Sequence, residues 1–200
     1  MKDVDKQQTI DTYNAQAKAF SDKFTAMSGS RAAYLDRFMA ELPGKTILDV
    51  GAGDGAPAQY LVEKGHSVVC IDLSEAMVDL MKARGLDARV MDLEHMDFAD
   101  ESFDGVLALS SLMNIPKADM PKVIENISRM LKPGGIFASF ITKGEGEGME
   151  PDARYDGVRW FSHYSFDELK ALLLPWFDVL SIEDAPTPAR PWIFTLCKKR

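Results

Sequence analysis

The chain has 200 residues, of which 46% are hydrophobic and 27% are charged, and its formal net charge is -8. This size and balance are typical of one globular domain with a single core, and the negative charge disfavours DNA or RNA as a partner because a polyanion would be repelled. No apolar run approaches the roughly 20 residues that span a bilayer, and the polar residues 1–9 do not resemble a signal peptide, so we expect a cytoplasmic protein without a membrane partner.

The N-terminal part of the sequence predicts two helices. Between residues 10 and 42, apolar side chains recur at helical spacing: Ala17, Phe20 and Phe24, then Tyr34, Leu35, Phe38, Met39 and Leu42. The Ser-Gly-Ser segment at residues 28–30 divides this region, and Pro43 with Gly44 ends it.

Strands and helices alternate along the rest of the chain. Apolar runs predict strands at residues 46–50, 67–72, 88–91, 103–109, 136–142, 177–182 and 192–197. Helices are expected after Pro57, after the cap residue Ser74, at residues 121–131, and at residues 165–174 behind a capping box. Residues 132–135 read as a turn and residues 143–150 as a loop rich in Gly and Glu.

This alternation predicts an α/β fold with a mostly parallel sheet. The last two strands have no helix between them, and their short link contains Pro186, Pro188 and Pro191, so one of them must run antiparallel. The two cysteines, Cys70 and Cys197, lie in apolar runs and are expected to be buried, reduced thiols. The chain has no Cys-x-x-Cys or Cys/His cluster, so we expect no metal site.

A glycine-rich segment follows the first strand, from Asp49 and Val50 through Gly51, Ala52, Gly53 and Asp54 to Gly55. Glycines allow a tight turn and let the backbone approach a ligand, and ligands of such sheets bind at the carboxyl ends of the strands. A dinucleotide motif would read G-x-G-x-x-G, whereas here the third glycine comes one residue early. A simple tight turn remains an alternative.

Three acidic residues end the first three strands. Asp72 could accept both hydroxyls of a ribose or could cap the next helix, and Asp92 could accept the exocyclic amine of an adenine with Leu93 against the ring, or be a solvated loop acid. Asp49 would suit an ammonium group and would be unfavourable beside a pyrophosphate. The three acids together favour a cationic nucleoside over an anionic dinucleotide.

At this point the sequence resembles the class I S-adenosylmethionine-dependent methyltransferases, in the small-molecule branch that includes ubiquinone- and tellurite-methyltransferase-like proteins. The matching segments span most of residues 46–182 and read LDVGAGDG, VVCIDLSEAM, RVMDLEHMDF, FDGVLALSSLMNIPKADMPKVIENISRMLKPGGIFASF and RWFSHYSFDELKALLLPWFDVL. The resemblance implies a Rossmann-like sheet of seven strands in the order 3-2-1-4-5-7-6, with strand 7 antiparallel. It also implies one domain, with residues 1–42 as a helical lid and residues 43–200 as the core.

The resemblance also implies a set of cofactor contacts. Asp49 with Gly51, Ala52, Gly53 and Gly55 would hold the methionine portion of S-adenosyl-L-methionine, and Asp72 its ribose. Leu73 and Met77 would flank the adenine, with Asp92 and Leu93 completing its pocket. Ser110 would lie near the methionine carboxylate or the sulfonium. Tyr13 would contact the cofactor from an N-terminal helix that acts as a lid, although a plain amphipathic helix without this role is an equal alternative.

The acceptor side is less well defined by the sequence. The segment after strand 4 lacks an Asn-Pro-Pro-Tyr sequence and the acid cluster of Mg²⁺-dependent enzymes, which disfavours base methylation and a metal. The candidates for acceptor contact and catalysis are His163, Asn114, Tyr164 and Arg159, with Lys143, Glu145, Glu147 and Trp160 nearby in the sequence. His163 could be a general base or a packing residue, Tyr164 and Trp160 could be core residues, and the two glutamates could belong to a solvated loop.

These observations favour one function over two alternatives. We expect a methyltransferase that moves a methyl group to a small neutral or cationic acceptor by in-line displacement, catalysed mainly by proximity and orientation. A protein that binds S-adenosylmethionine without catalysis is one alternative. An NAD(P)-dependent oxidoreductase is the other, and the glycine spacing and Asp49 disfavour it. The protein is expected to be a monomer or a homodimer.

Overall fold

The computed structural model describes residues 3–24, 29–151, 156–185 and 190–200. Six helices lie in these ranges: α1 (Asp3–Phe24), α2 (Gly29–Glu41), α3 (Ala56–Glu63), α4 (Glu75–Ala83), α5 (Met120–Met130) and α6 (Phe166–Leu173). The nine strands are β1 (Thr46–Val50), β2 (Ser67–Asp72), β3 (Asp87–Val90), β4 (Phe103–Leu109), β5 (Leu131–Thr142), β6 (Glu147–Pro151), β7 (Val158–Ser162), β8 (Phe177–Ala185) and β9 (Trp192–Lys199).

Seven strands form one sheet in the order β3-β2-β1-β4-β5-β9-β8. The pairs from β3 to β5 are parallel, and β9 runs antiparallel to both β5 and β8. With the separate β6–β7 pair set aside, this order is the predicted 3-2-1-4-5-7-6 with a reversed last strand. The predicted Rossmann-like α/β fold is therefore confirmed.

Local sequence signals account for most helix boundaries. Ser74 caps α4 by accepting a hydrogen bond from the Met77 amide at 3.3 Å, and Gly85 follows the helix with a positive φ of 79°. Ser165 and Glu168 form the predicted capping box of α6, with bonds of 2.8 and 3.2 Å. Cys70 and Cys197 are buried, free thiols in β2 and β9, as expected.

Three predicted segments differ in the structure. Residues 143–150 are not all loop, because Glu147–Pro151 pairs with Val158–Ser162 as an antiparallel hairpin. Residues 132–135 lie within β5 and do not form a separate turn. The register of β5 against β4 shifts here, since Leu131 pairs with Phe103 whereas Ile136 pairs with Gly105. Helix α1 begins at Asp3 rather than near residue 10. Residue 28 of the predicted helix break, and Pro186 and Pro188, lie outside the described residues.

The hydrophobic core lies on both faces of the large sheet. Strand β1 is buried from Ile47 to Val50, and β4 from Phe103 to Ala108, as expected of central parallel strands. The carboxyl ends of β1, β2, β3 and β4 consequently meet at one end of the sheet, where the acidic and glycine residues lie. Among the described helices, none is long and apolar enough to cross a membrane.

Candidate functional site

The glycines after β1 have two different structural roles. Gly51, Gly53 and Gly55 all have positive φ, at 66°, 58° and 77°. A Cβ on Gly51 would lie 2.2 Å from the Cβ of Ser111, and a Cβ on Gly55 2.5 Å from Leu86, so these two permit close packing. A Cβ on Gly53 would meet nothing within 4 Å. Gly53 thus borders open space, which is where a ligand could approach the backbone.

Asp49 is a buried carboxyl group beside this loop. It is 1% exposed, and its Oδ2 has no hydrogen-bond partner among the described residues. Burial, together with the neighbouring Asp72 and Asp54, raises the pKa of Asp49 from 3.8 to about 8. An unpaired buried oxygen is costly, so the group is suited to a ligand that supplies a proton donor or a cation.

Asp72 ends β2 and is bonded to the same loop. Its Oδ2 accepts a hydrogen bond from the Gly53 amide, and its Oδ1 accepts one from the Ser74 amide, both at 2.9 Å. Burial raises the pKa of Asp72, and the backbone donors partly oppose that shift. Each carboxylate oxygen has a further lone pair, so the two hydroxyls of a ribose would still find acceptors here.

Asp92 follows β3, and both of its carboxylate oxygens accept hydrogen bonds from other residues of the protein. Its Oδ1 accepts a hydrogen bond from the Glu94 amide at 3.0 Å, and its Oδ2 accepts one from Lys6 Nζ at 2.6 Å. Burial opposes ionisation, but the bonds from Lys6 and Glu94 hold the pKa of Asp92 below its usual range. The sequence did not indicate Lys6, and a contact of Asp92 with adenine stays a prediction.

The apolar residues assigned to the adenine pocket lie around the same strand ends. Leu93 is 7% exposed, and Met77 is 2% exposed and packs with Ala17 and Phe20 of α1. Leu73 is partly buried. Helix α1 therefore shields one side of the region assigned to the adenine.

Helix α1 contacts residues that follow four different strands. Besides the Lys6 bond after β3, Asn14 accepts a hydrogen bond from Ser74 after β2 at 2.7 Å. Ser21 donates to Asp54 after β1 at 3.1 Å, and Tyr13 donates to Asn114 after β4 at 3.0 Å. A 22-residue helix is about 33 Å long, enough to cross four strands spaced about 4.8 Å apart. It covers the carboxyl ends of the strands.

The hairpin of β6 and β7 brings three predicted site residues together. The phenolic oxygen of Tyr13 accepts a hydrogen bond from Arg159 Nη1 at 2.5 Å while it donates to Oδ1 of Asn114. Asn114 Nδ2 in turn donates to the carbonyl of Trp160 at 3.4 Å. Ser110, next to this group in the chain, has the positive φ of 63° that L-residues seldom adopt, a strain often found at functional sites.

His163 and Tyr164 directly follow β7 and have different surroundings. His163 Nε2 lies 2.7 Å from Oε1 of Glu150, and its ring stacks on Phe161. Tyr164 is 2% exposed in the core, and its buried hydroxyl has no hydrogen-bond partner among the described residues. Burial, with the nearby Glu147 and Glu168, raises the pKa of Tyr164. The structure does not group Tyr164 with His163.

Lys143 and Glu147, two of the remaining acceptor-side candidates, have structural partners. Lys143 forms an ion pair with Asp184 at 2.6 Å, and Glu147 accepts a hydrogen bond from the Lys117 amide at 2.7 Å. Within the described ranges, no group of three or more His, Cys, Asp and Glu side chains is placed to hold a metal ion.

Two further polar contacts at the site, besides that of Lys6, were not predicted from the sequence. Asp54 is 8% exposed and pairs with Arg84 at 2.7 Å, which ties the glycine loop to α4. Glu150 contacts His163 through Oε1, and its Oε2 accepts a hydrogen bond from Arg190 Nη1 at 3.3 Å. The sequence shows Asp54 within the glycine motif, but only the fold shows that it pairs with Arg84, which lies 30 residues further along the chain.

Residues 48–139, which run from within β1 to within β5 and include the glycine loop, match the model of a family described as "Methyltransferase domain". Over this stretch the chain is similar to methyltransferase domains. The family predicted from the sequence motifs is confirmed.

Curated relatives of this methyltransferase domain match over only part of their own length. "Methyltransferase GfsG" of Streptomyces halstedii is 36% identical over 112 residues, which are 50% of this chain and 40% of that protein. A ubiquinone biosynthesis O-methyltransferase of Hahella chejuensis is 37% identical over 112 residues, 52% of this chain and 46% of the other. The matched stretch thus spans less than half the length of these two relatives.

A solved structure agrees with the methyltransferase fold over nearly the whole chain. The 1,6-didemethyltoxoflavin-N1-methyltransferase of Burkholderia thailandensis superposes with a TM-score of 0.74 at 21% identity, covering 95% of this chain and 86% of that one. That enzyme was solved with 1,6-didemethyltoxoflavin and S-adenosylhomocysteine bound. At this identity the likeness supports the fold, and the expected cofactor agrees with the family.

Proposed function

We propose that the chain is an S-adenosylmethionine-dependent methyltransferase that acts on a small-molecule acceptor. The observation that carries this proposal is the unpaired, buried Oδ2 of Asp49 beside the open space at Gly53, within a methyltransferase domain. The relatives named as methyltransferases support the reaction class.

The residues present fit the cofactor. Asp49 offers a buried acceptor for the ammonium group of the methionine portion, and Gly53 leaves room for it beside the backbone. Asp72 offers two carboxylate oxygens to the ribose hydroxyls. A pyrophosphate in this place would meet the uncompensated carboxyl of Asp49, which disfavours a nicotinamide dinucleotide.

The chemistry asks little of the protein beyond alignment. When bound, S-adenosylmethionine supplies a methyl group on an activated sulfonium, which an acceptor displaces in line. Holding the two reactants in reactive geometry can supply about 7–11 kcal/mol of barrier reduction at the upper end. In this chain Ser110, whose φ is positive, and Asn114, which accepts a hydrogen bond from Tyr13, lie where β4 ends. We propose that these two residues border the acceptor position.

His163 is the residue that we propose as general base. Its Nε2 is held by Glu150 at 2.7 Å, which fixes the orientation of the ring, as carboxylates do for catalytic histidines. Arg159 and Tyr164 are 1% and 2% exposed, so we do not propose them as acceptor contacts. We propose a small acceptor without a nucleic-acid component, since the net charge is -8.

Gly53 provides the sharpest test of the cofactor site. S-adenosylhomocysteine should bind the wild type and raise its melting temperature, because a ligand selective for the folded state stabilises it. Gly53→Asn tolerates a positive φ but fills the open space, so it should lose binding by at least about tenfold. Calorimetric titration measures both affinities.

Gly85 provides the matched control. It has a φ of 79°, and a Cβ added there would also meet nothing within 4 Å, but it lies at the far end of α4. Gly85→Asn should bind S-adenosylhomocysteine as the wild type does. Equal binding by the folded Gly53→Asn variant, or saturable NADH binding that depends on Asp72, would contradict the proposed function.

A further inference from the structure

Arg159 is a buried cation enclosed by aromatic rings from two elements. It lies on β7 and is 1% exposed. Its guanidinium carbon is 4.8 Å from the ring centre of Tyr13, 5.2 Å from that of Phe20 and 5.1 Å from that of Phe161. Tyr13 and Phe20 belong to α1, whereas Phe161 belongs to β7. The cation therefore joins the helix to the hairpin.

A hydrogen bond adds direction to these contacts. Arg159 Nη1 donates to the phenolic oxygen of Tyr13 at 2.5 Å, and this leaves the phenolic proton directed at Asn114 Oδ1. Desolvated cation–π contacts and charged hydrogen bonds both stabilise such a junction, and the effect is largest where water is excluded. Losing the guanidinium would weaken the attachment of α1 at its centre.

Two threonines join α1 to β7 through hydrogen bonds, in addition to the packing of the two elements. Thr9 accepts a hydrogen bond from the Trp160 amide, and Thr12 donates to the Val158 carbonyl, both at 3.0 Å. These are backbone groups of β7, the strand that carries Arg159. Since α1 also crosses the carboxyl ends of β1 to β4, a cofactor beside Gly53 would lie under the helix.

We propose that Arg159 is a positioning residue that acts through Tyr13 to hold α1 over the cofactor site, and that it thereby sets the rate at which the cofactor leaves. This inference rests on the proposed function. It gives Arg159 a role in retaining the cofactor in place of the contact with the acceptor that the sequence suggested.

The test measures two properties of variants at Arg159. Arg159→Met keeps most of the length of the side chain without its charge. It should speed release of S-adenosylhomocysteine in stopped-flow experiments by at least about tenfold and speed amide hydrogen exchange of α1 in the ligand-free protein. Arg159→Lys keeps the charge and should restore part of both properties.

Arg37 offers a matched control elsewhere in the molecule. Its guanidinium also lies over two rings, Tyr34 at 5.6 Å and Phe194 at 5.1 Å, and it pairs with Glu183. Arg37→Met should change neither the release rate nor α1 exchange, even where it lowers the melting temperature. An equal effect of both Met variants would overturn the proposal by reducing Arg159 to a general stability residue.

Tyr13→Phe keeps the proposal testable if Arg159→Met does not fold, because it removes only the hydrogen bonds of the hydroxyl group. It should speed release in the same direction by a smaller factor, and adding Arg159→Lys to it should cost less than the sum of the two changes. Unchanged α1 exchange and release in both variants would overturn the proposal. If the wild type bound no S-adenosylhomocysteine, the proposed function would fail, while exchange of α1 would still test whether Arg159 holds the helix.

Discussion

Asp49 has a carboxyl group whose ionisation is opposed by burial and by neighbouring acids. Its pKa rises from 3.8 to about 8, so the folded protein retains a proton that the unfolded chain releases. The stability of the ligand-free protein should therefore fall as the pH rises from about 4 to about 8. The same orphaned oxygen that we assign to the cofactor costs the protein stability when nothing donates to it.

Replacing Asp49 separates these two effects. Asp49→Asn should raise the free energy of unfolding at pH 8 by at least about 1 kcal/mol, with the difference vanishing near pH 4, because the amide does not ionise. It should also weaken S-adenosylhomocysteine binding. Urea unfolding across this pH range, paired with calorimetry, checks both expectations. A variant that is less stable at pH 8 yet binds normally would show that Asp49 is only a packing residue.

His163 can be tested with its partner. His163→Ala should lower kcat with the best acceptor found by about 10²–10⁴-fold while leaving S-adenosylhomocysteine affinity nearly unchanged, because a general base acts on the transition state. Glu150→Gln should lower kcat less, since it keeps a hydrogen-bonding side chain beside Nε2. Unaltered turnover in His163→Ala would make the histidine a structural residue, and lost cofactor affinity would place it in the cofactor site.

At the scale of elements, α1 and β7 form one cover over the site, because a side chain of the helix donates a hydrogen bond to a backbone carbonyl of the strand. The Val158 carbonyl of β7 accepts from Thr12 at 3.0 Å, and a Cβ on Gly157 would lie 2.6 Å from Thr12 Cγ2. The short distance explains the glycine at position 157, whose φ is 136°. Helix and strand fit closely at this point.

Thr12→Val tests this contact at nearly constant volume. It should lower the free energy of unfolding by about 1 kcal/mol, because a part-buried carbonyl loses its donor. Ser102→Ala is the control, since it removes an exposed hydroxyl that donates to the Ala99 carbonyl at 2.8 Å and should cost less than about 0.5 kcal/mol. Denaturant unfolding compares the two. Equal small losses would mean that water replaces Thr12 on the strand.

The sequence predicted elements well where a local pattern coincides with the final environment. Ser74, Ser165 and the apolar central strands carry their signals within a few residues, and the strand order follows from the motifs of the family. The hairpin of β6 and β7 carries no such signal, because its glycines and glutamates read as a loop. Its pairing depends on support from α1 and on the residues around Ile115.

The candidate site shows the same division. Asp49, the glycine loop and Asp72 stand where the motif placed them, at the ends of β1 and β2. The partners that hold the cover, such as Lys6 and Arg84, lie 86 and 30 residues from the groups that they bind. Contacts at such separations leave no periodicity in one sequence, so the side-chain contacts that hold the cover could only be seen in the fold.

At the scale of the whole molecule, the two cysteines report on global unfolding. Burial raises the pKa of both thiols, that of Cys197 to about 12, and both lie in strands of the large sheet. A thiol reagent at pH 8 should therefore modify them only when the sheet opens, at a rate that falls further when S-adenosylhomocysteine is added. A spectrophotometric thiol assay measures this rate, and rapid labelling of both thiols in the native protein would contradict it.

Strand β9 has a consequence for the way the protein is made. It follows β8 in the sequence yet lies between β5 and β8, with which it pairs from Ile136 to Thr142 and from Phe177 to Ala185. While the ribosome is still synthesising residues 192–199, β5 has an unpaired apolar side and β8 has no place in the sheet. A nascent chain in this state exposes a strand edge with unpaired backbone groups, which favours aggregation. We therefore expect chaperone binding to the nascent chain to matter most during this interval.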